Sequence, residues 1–79
     1  MPKIINGWFS IGKNPNLKSL EGAPERILKD FYADYCDIQD LGSTLKYVGG
    51  NFWINYQKTK QWTEEEIRAK IEIKEEVYI

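Results

Sequence analysis

The chain has 79 residues, with 11 Lys or Arg against 12 Asp or Glu, so its formal net charge is −1, and it contains no His. A chain of this length forms one domain with a thin core, and its balanced charge argues against a surface that binds polyanions. The lack of His removes the commonest general base and metal ligand, so we expect a protein that is not an enzyme.

An internal repeat organises the chain. A shift of 21 residues places Ile27 on Val48 and Phe31 on Phe52, together with several other apolar and aromatic pairs. Self-similarity at a fixed period predicts a solenoid, in which each unit buries its apolar face against its neighbours. We predict one repeat domain over residues 1–79, and its rungs are expected near residues 4–11, 27–34, 48–55 and 73–79.

Each rung contains a short aromatic and β-branched run that alternates in polarity, which is the pattern of a half-buried strand. Equivalent strands of a solenoid run parallel, so the repeat predicts a β-rich (α+β), leucine-rich-repeat-like solenoid with about four parallel strands in one sheet. We align Trp8 with Phe31, a step of 23 residues, which turns one set of side chains inward. The inward set is Trp8, Ser10, Phe31, Ala33, Phe52, Ile54, Val77 and Ile79.

The opposite face of the predicted sheet carries aromatic residues in every rung. Stacked neighbours there either stabilise the sheet, at roughly 0.2–1 kcal/mol per pair, or form a binding surface, because Tyr and Trp dominate interface hot spots. Both roles are compatible. The candidate partner-binding residues are Phe9, Tyr32, Trp53 and Tyr78, flanked by Ile11, Asp34 and Asn55.

The third connection predicts a helix. Thr63 and Glu66 have the spacing of a capping box, in which each side chain bonds the backbone amide of the other residue. We predict a helix over about residues 64–71 that caps the array together with the last strand. The pairs Glu64 with Arg68 and Glu66 with Lys70 are expected on its solvent side.

Two tryptophans are predicted to lie in the core. Trp8 and Trp62 each occupy a position that is apolar in the neighbouring rungs. Cys36, the single cysteine, is interpreted as a small buried residue rather than as a nucleophile, since the chain offers it no His. A lone thiol also excludes an internal disulfide and fits a reducing compartment.

The acidic runs near the predicted helix favour a solvated surface over a cation site. We therefore expect no metal and no cofactor. The chain shows neither a signal peptide nor a run of 18 apolar residues, so we expect a cytoplasmic protein with no membrane partner.

The first full repeat resembles a known motif. Residues 17–27 read LKSLEGAPERI, and residues 47–52 read YVGGNF. Together they are similar to the L-x-S-L-E-G-A-P-x-x-V-G-G-x-F repeat of small leucine-rich-repeat-like proteins of large tailed bacteriophages and some bacteria. The similarity covers roughly residues 4–62. It implies an interaction scaffold of phage type, acting in the host cytoplasm, and it implies no reaction.

Ordinary leucine-rich repeats place an Asn or Cys two residues before the connection Leu, where its side chain satisfies backbone groups. The resemblance assigns that position here to Pro15, Cys36 and Gln57. Pro15 has no side-chain donor and so cannot take part in such a ladder, which leaves the first turn open.

Two classes of function follow from these features. The leading interpretation is a non-enzymatic module, a bacteriophage accessory protein that binds and modulates a host protein through the aromatic face. The alternative is a structural or self-assembling component, since strand edges at both ends can pair with other copies, most readily at Ile4 after the uncapped start of the chain. Stacking of single-stranded nucleic acid on the ladder is less favoured, because no positive groove accompanies it. The partner's identity and the oligomeric state stay open.

Overall fold

The chain forms a β-solenoid of three full turns with one C-terminal helix. The computed structural model describes residues 3–79; Met1 and Pro2, which begin the predicted domain and its expected uncapped end, lie outside the described residues. Each of the four rungs supplies two strands of two residues, separated by a three-residue corner. The strands are β1 (Ile4–Ile5), β2 (Phe9–Ser10), β3 (Arg26–Ile27), β4 (Phe31–Tyr32), β5 (Tyr47–Val48), β6 (Phe52–Trp53), β7 (Glu72–Ile73) and β8 (Val77–Tyr78).

The strands form two parallel sheets, where the repeat predicted one. Sheet A has the order β1-β3-β5-β7, and sheet B has the order β2-β4-β6-β8. The corner between them brings successive rungs close together: a Cβ on Gly49 would collide with the carbonyl oxygen of Leu28. At this rung the close approach admits only glycine. The three-residue corner itself is present in all four rungs and divides what alternation alone indicates as one continuous strand.

The first rung is shifted by one residue from the predicted register. Phe9, and not Trp8, pairs with Phe31, and Ser10 pairs with Tyr32. The step from Phe9 to Phe31 is 22 residues, one fewer than predicted. Phe9 packs against the core, whereas the Trp8 side chain is 66% exposed. The predictions of an inward Trp8 and an outward Phe9 are therefore both wrong.

The core consists of side-chain columns that run along the solenoid. Phe9 stacks on Phe31 with ring centroids 6.0 Å apart, and Phe31 meets Phe52 at 5.2 Å. Trp62 is buried as predicted and donates its indole N–H to the carbonyl of Ile38 at 2.9 Å. The other buried apolar residues that pack together are Leu20, Ile27, Ala33, Cys36, Ile38, Leu41, Leu45, Val48, Ile54, Ile67, Ile71 and Ile73.

A side-chain ladder satisfies backbone carbonyls after sheet B. Cys36 and Gln57 donate to carbonyls of the preceding rung at 3.2 and 2.7 Å, and Asn14 donates to a carbonyl three residues earlier at 2.6 Å. Burial raises the pKa of the Cys36 thiol, which keeps it protonated as a donor. The one-residue shift thus places Asn14, and not Pro15, at the first ladder position.

Helix α1 spans Glu64–Lys70, and Thr63 is its N-cap. The predicted capping box is present: the Thr63 hydroxyl accepts the Glu66 amide at 3.3 Å, and the Glu66 carboxylate accepts the Thr63 amide at 3.1 Å. The buried Ile67 faces the core, so the helix covers the C-terminal end of the solenoid. Within residues 3–79, no helix has both the length and the apolar character needed to span a bilayer.

One of the two predicted ion pairs on α1 forms. Arg68 Nε lies 2.7 Å from the Glu64 carboxylate. Glu66, in contrast, pairs with Lys60 at 3.1 Å, and among the described residues it makes no ion pair with Lys70. The hydrogen bond from Lys60 and those from the helix cap hold the pKa of Glu66 below its usual value. Glu66 therefore ties the preceding connection to the helix.

Candidate functional site

The outer face of sheet B carries a stack of aromatic rings. Tyr32, Trp53 and Tyr78 are in register, with ring centroids 5.8 Å apart for the first pair and 3.9 Å apart for the second. Trp8 extends the stack edge-on, 6.2 Å from Tyr32, at the end where the in-register residue is the small Ser10. Trp8, Tyr32, Trp53 and Tyr78 are called the aromatic column below.

Two of the predicted binding residues lie elsewhere. Phe9 and Ile11 are half-buried and pack against the core, because the register shift turns the odd-numbered residues of the first rung inward. Trp8 takes the place at the end of the column that the sequence assigned to Phe9. The sequence signal was ambiguous here, since Trp8 and Phe9 are adjacent aromatic residues in a rung that has a neighbour on one side only.

The flanking residues Asp34 and Asn55 are half-buried at the next outward position along the rungs. The Asp34 side chain lies over Gly12, where a Cβ would collide with its carboxylate oxygen. The side-chain oxygen of Asn55 and the indole N–H of Trp53 are both buried without a hydrogen-bond partner in the described residues. Buried polar atoms normally have a partner, so this part of the face retains unused hydrogen-bonding capacity.

A polar ladder beside the aromatic column sets the spacing of the rungs. Asp30 Oδ1 accepts the amide of Asn51 at 2.8 Å, and Asn51 Oδ1 accepts the amide of Glu76 at 3.0 Å. The Tyr32 hydroxyl donates to Asp30 Oδ2 at 3.2 Å. Burial and the carboxylate of Asp30 raise the pKa of Tyr32, so its hydroxyl stays a neutral donor. Asp30 and Asn51 are 21 residues apart, which is the period of the repeat, and this spacing is the sequence signal for the ladder.

A second pair of rings follows the strands of sheet B. Tyr35 and Tyr56 stack with centroids 4.8 Å apart and are 49% and 66% exposed. Their φ angles are 55° and 59°, and Lys13, at the same position of the first rung, has φ 61°. A bulky residue in this left-handed region costs about 1–2 kcal/mol. Beside the pair, Lys13, Pro15, Tyr35 and Lys58 line a shallow depression.

The aromatic residues are divided by chemistry. The phenylalanines face the core, and Trp62 is the buried tryptophan of residues 3–79. Apart from Trp62, the rings with a polar atom lie outward and are half-buried or exposed. The outward rings are Trp8, Tyr32, Tyr35, Tyr47, Trp53, Tyr56 and Tyr78.

At the C-terminal edge of sheet A, a side chain takes the place of another strand. Arg68 donates to the carbonyls of Ile73 and Glu75 at 2.7 and 2.6 Å. One rung earlier, the equivalent carbonyls of Val48 and Gly50 accept backbone amides of the last rung at 3.0 and 3.3 Å. The two nitrogens of one guanidinium thus substitute for the amides of a further rung.

The C-terminal edge of sheet B has no such cover. In the rung before it, Phe52 and Ile54 donate their amides to carbonyls of the last rung at 2.9 and 2.8 Å. The equivalent amides of the last rung belong to Val77 and Ile79, and they have no hydrogen-bond acceptor within residues 3–79. This open edge adjoins the aromatic column, because Tyr78 lies between the two amides.

One charged side chain of the described residues is buried, that of Asp37. The nearby Thr59 side chain, the side-chain amide of Gln39, which donates to Asp37 Oδ2 at 3.2 Å, and Lys18 outweigh the opposing effect of burial and lower the pKa of Asp37. Lys18 lies 3.9 Å away. Asp37 thus links neighbouring connections of the solenoid.

The chain matches no protein-family model, and comparison with curated proteins and solved structures gave no significant match. Within residues 3–79, no group of three or more Cys, Asp or Glu side chains is placed to hold a metal ion. Arguments about function therefore depend on the geometry of the face itself.

Proposed function

We propose that this chain is a non-enzymatic protein-binding module that docks the outer face of sheet B on a partner protein. The observation that supports this function is the aromatic column, four outward rings in contact across four rungs. Tyr and Trp are enriched in the central, high-energy part of protein interfaces, where they combine apolar area with a polar atom.

The column is ordered before any partner arrives. Its rings are held by stacking and, at Tyr32, by the hydrogen bond to Asp30. A partner that covers it therefore immobilises few side chains, which lowers the entropic cost of association. The ends of the column stay accessible, with Trp8 66% and Tyr78 39% exposed. If the column only stabilised the sheet, stacked rings in its middle would suffice, and exposed rings at its two ends would not be needed.

Backbone strain at the second pair of rings supports the same function. Glycine adopts a positive φ without steric cost, yet the chain carries Tyr35 and Tyr56 at these positions. Large exposed rings kept at a strained position are typical of functional surfaces. The tyrosine pair follows the same strands as the aromatic column, so both belong to the side of the molecule that we assign to the partner.

The resemblance of the repeat to phage-type leucine-rich-repeat-like proteins supports a finer proposal. In it, the chain is a bacteriophage accessory protein in the host cytoplasm that binds and modulates a host protein. The ladder of Asn14, Cys36 and Gln57 fits the leucine-rich-repeat-like description, because each side chain satisfies a backbone carbonyl.

A structural or self-assembling component is the second candidate, favoured by the open edge of sheet B. Arg68 works against it on sheet A, where it occupies the carbonyls that another copy would use. The two candidates differ in solution behaviour. Self-assembly predicts a molar mass in light scattering that rises with protein concentration, whereas the binding module stays monomeric.

The direct test is a pull-down from cells of the native host with matched variants. Tyr32→Ser with Trp53→Ser removes the middle of the aromatic column, and Arg26→Ser with Tyr47→Ser removes an outward pair of sheet A, a guanidinium 4.2 Å from a ring centroid. Both double variants should keep the wild-type circular dichroism spectrum. We expect the first to lose the partner and the second to retain it. Equal capture by both would exclude the column as the docking surface.

A further inference from the structure

We propose that the open edge at β8 binds an extended peptide segment of the partner protein as a fifth parallel strand of sheet B. The segment carries a basic residue followed by residues that alternate between apolar and aromatic. This inference deepens the proposed binding function, on which it rests, by naming the kind of segment that the partner supplies.

Backbone hydrogen bonding supplies the first argument. The amides of Val77 and Ile79 point to the same side as those of Phe52 and Ile54, which donate to the neighbouring strand of the last rung. Two carbonyls of an added parallel strand, two residues apart, accept the amides of Val77 and Ile79. The amide of the residue that carries the second of these carbonyls donates to the Val77 carbonyl. Addition of a strand to an exposed edge is a recurrent mode of peptide recognition.

The cap on sheet A argues that the occupant is a single strand and not a second copy. The first rung of another copy would bring two strands joined by a three-residue corner, and these would have to pair with both sheets at once. Arg68 already fills the carbonyls of Ile73 and Glu75 on sheet A, and α1 covers the end of the core through Ile67. A lone peptide strand needs sheet B alone.

The side chains at the edge define the sequence of the segment. Val77 and Ile79 offer apolar surface toward the inner side, and the Tyr78 ring is partly exposed on the outer side. Glu76 precedes them, is exposed, and takes part in no ion pair within residues 3–79, whereas the carbonyl of Glu75 is already occupied by Arg68. Because parallel neighbours place equivalent residues side by side, the residue of the segment that matches Glu76 is a basic one.

The probe is the acetylated and amidated tetrapeptide KVYI, which is the sequence of residues 76–79 with the glutamate changed to lysine. It is titrated into the 15N-labelled chain, and the amide resonances of Val77 and Ile79 are followed. We expect saturable downfield shifts at both amides, as new hydrogen bonds form. The peptide EVYI, whose acidic residue would face Glu76, should bind about threefold more weakly.

Two methylated peptides test the strand geometry. An N-methyl group on the peptide tyrosine removes the amide that faces the Val77 carbonyl, so binding should weaken about tenfold. An N-methyl group on the peptide valine lies on the far side of the added strand, so binding should change by no more than about threefold. Equal affinities for the two methylated peptides would overturn the proposal.

Protein variants complete the test. Ile79→Pro removes one edge amide at an exposed position, while Ile79→Val keeps it. We expect the proline variant to bind KVYI about tenfold more weakly and the valine variant to bind it as the wild type does. Absence of saturable shifts, or shifts that grow with protein concentration alone and indicate self-pairing, would overturn the proposal. The pull-down with the column variants tests the proposed function separately, since neither Tyr32 nor Trp53 donates an edge amide.

Discussion

The two sheets are built from the same four rungs, yet they differ in their outer faces and at their last edges. Sheet A ends at Arg68, which occupies its outermost carbonyls, and sheet B ends in open amides. The in-register outward residues also differ, Ile4, Arg26, Tyr47 and Glu72 on sheet A against Ser10, Tyr32, Trp53 and Tyr78 on sheet B.

The difference shows that the repeat alone does not assign equal roles to its two strands. Both sheets need an apolar inner face, and both have one. Closure of an edge by a side chain and a continuous stack of aromatic rings are additional features, and each is found on one of the two sheets. Edge protection prevents unwanted pairing, so an edge left open beside an aromatic column is where we expect a partner.

The largest expected effect is the difference in stability between substitutions on the inner and the outer face of sheet B, made at the neighbouring residues Phe52 and Trp53. Phe52 is fully buried, and Phe52→Ala should lower the free energy of unfolding by about 3–5 kcal/mol through lost burial and the cavity that remains. Trp53→Ser, on the outer face, should cost about 1–2 kcal/mol. Urea unfolding of both variants measures the difference. Equal losses would mean that the aromatic column is as much a part of the core as the inner face.

The next effect concerns the closed edge of sheet A. Arg68→Ala removes two hydrogen bonds from a charged donor and should cost about 2 kcal/mol of stability. Hydrogen exchange should rise in β7 and little in β8. Arg68→Lys keeps the charge but lacks the fork of donors, so it should restore less than half of the loss. Full recovery by lysine would show that charge, and not substitution for backbone amides, is what the arginine supplies.

A smaller effect tests the strained tyrosines after sheet B. At the positive φ of Tyr56, Tyr56→Gly should be more stable than Tyr56→Ala by about 1 kcal/mol, because alanine meets the same steric cost without the ring stack. Thermal unfolding of the pair gives the difference. A more stable alanine variant would show that this corner is not strained.

The smallest effect lies in the connections, outside both sheets. The pKa of Asp37 is lowered in the folded chain by its hydrogen bonds, so the folded state favours the ionised form. Its contribution is fully present above the unfolded value, about 3.9, and is lost as the pH falls through the lower folded value. Asp37→Asn should therefore flatten the acid side of the stability curve. An unchanged curve would assign the acid dependence to other carboxylates, such as Glu66.

The parts of the fold that could be predicted are those repeated at a constant spacing. The 21-residue step defines the parallel pairing of Ile27 with Val48 and of Phe31 with Phe52, and Thr63 with Glu66 defines the start of α1. The division into two sheets was not predictable from alternation, because two-residue strands on either side of a corner have the same pattern as one longer strand.

The candidate site was predictable where a residue has neighbours on both sides. Tyr32 and Trp53 lie in interior rungs and were placed correctly on the outer face, whereas Trp8 and Phe9 in the first rung were exchanged. An end rung is constrained by one neighbour only, so a one-residue slip between two aromatic residues changes little in the pattern. The cap by Arg68 was not predictable either, since a guanidinium bond to backbone carbonyls leaves no periodic signal.

The three tryptophans allow the most direct measurement of where a partner binds. Trp8 and Trp53 belong to the aromatic column, and Trp62 is buried in the core as an internal reference. The chain labelled with 5-fluorotryptophan gives one fluorine resonance for each residue. Docking through sheet B predicts that the partner captured in the pull-down shifts or broadens the Trp8 and Trp53 resonances and leaves that of Trp62 in place. A partner that binds with no change at Trp8 or Trp53 would contradict it.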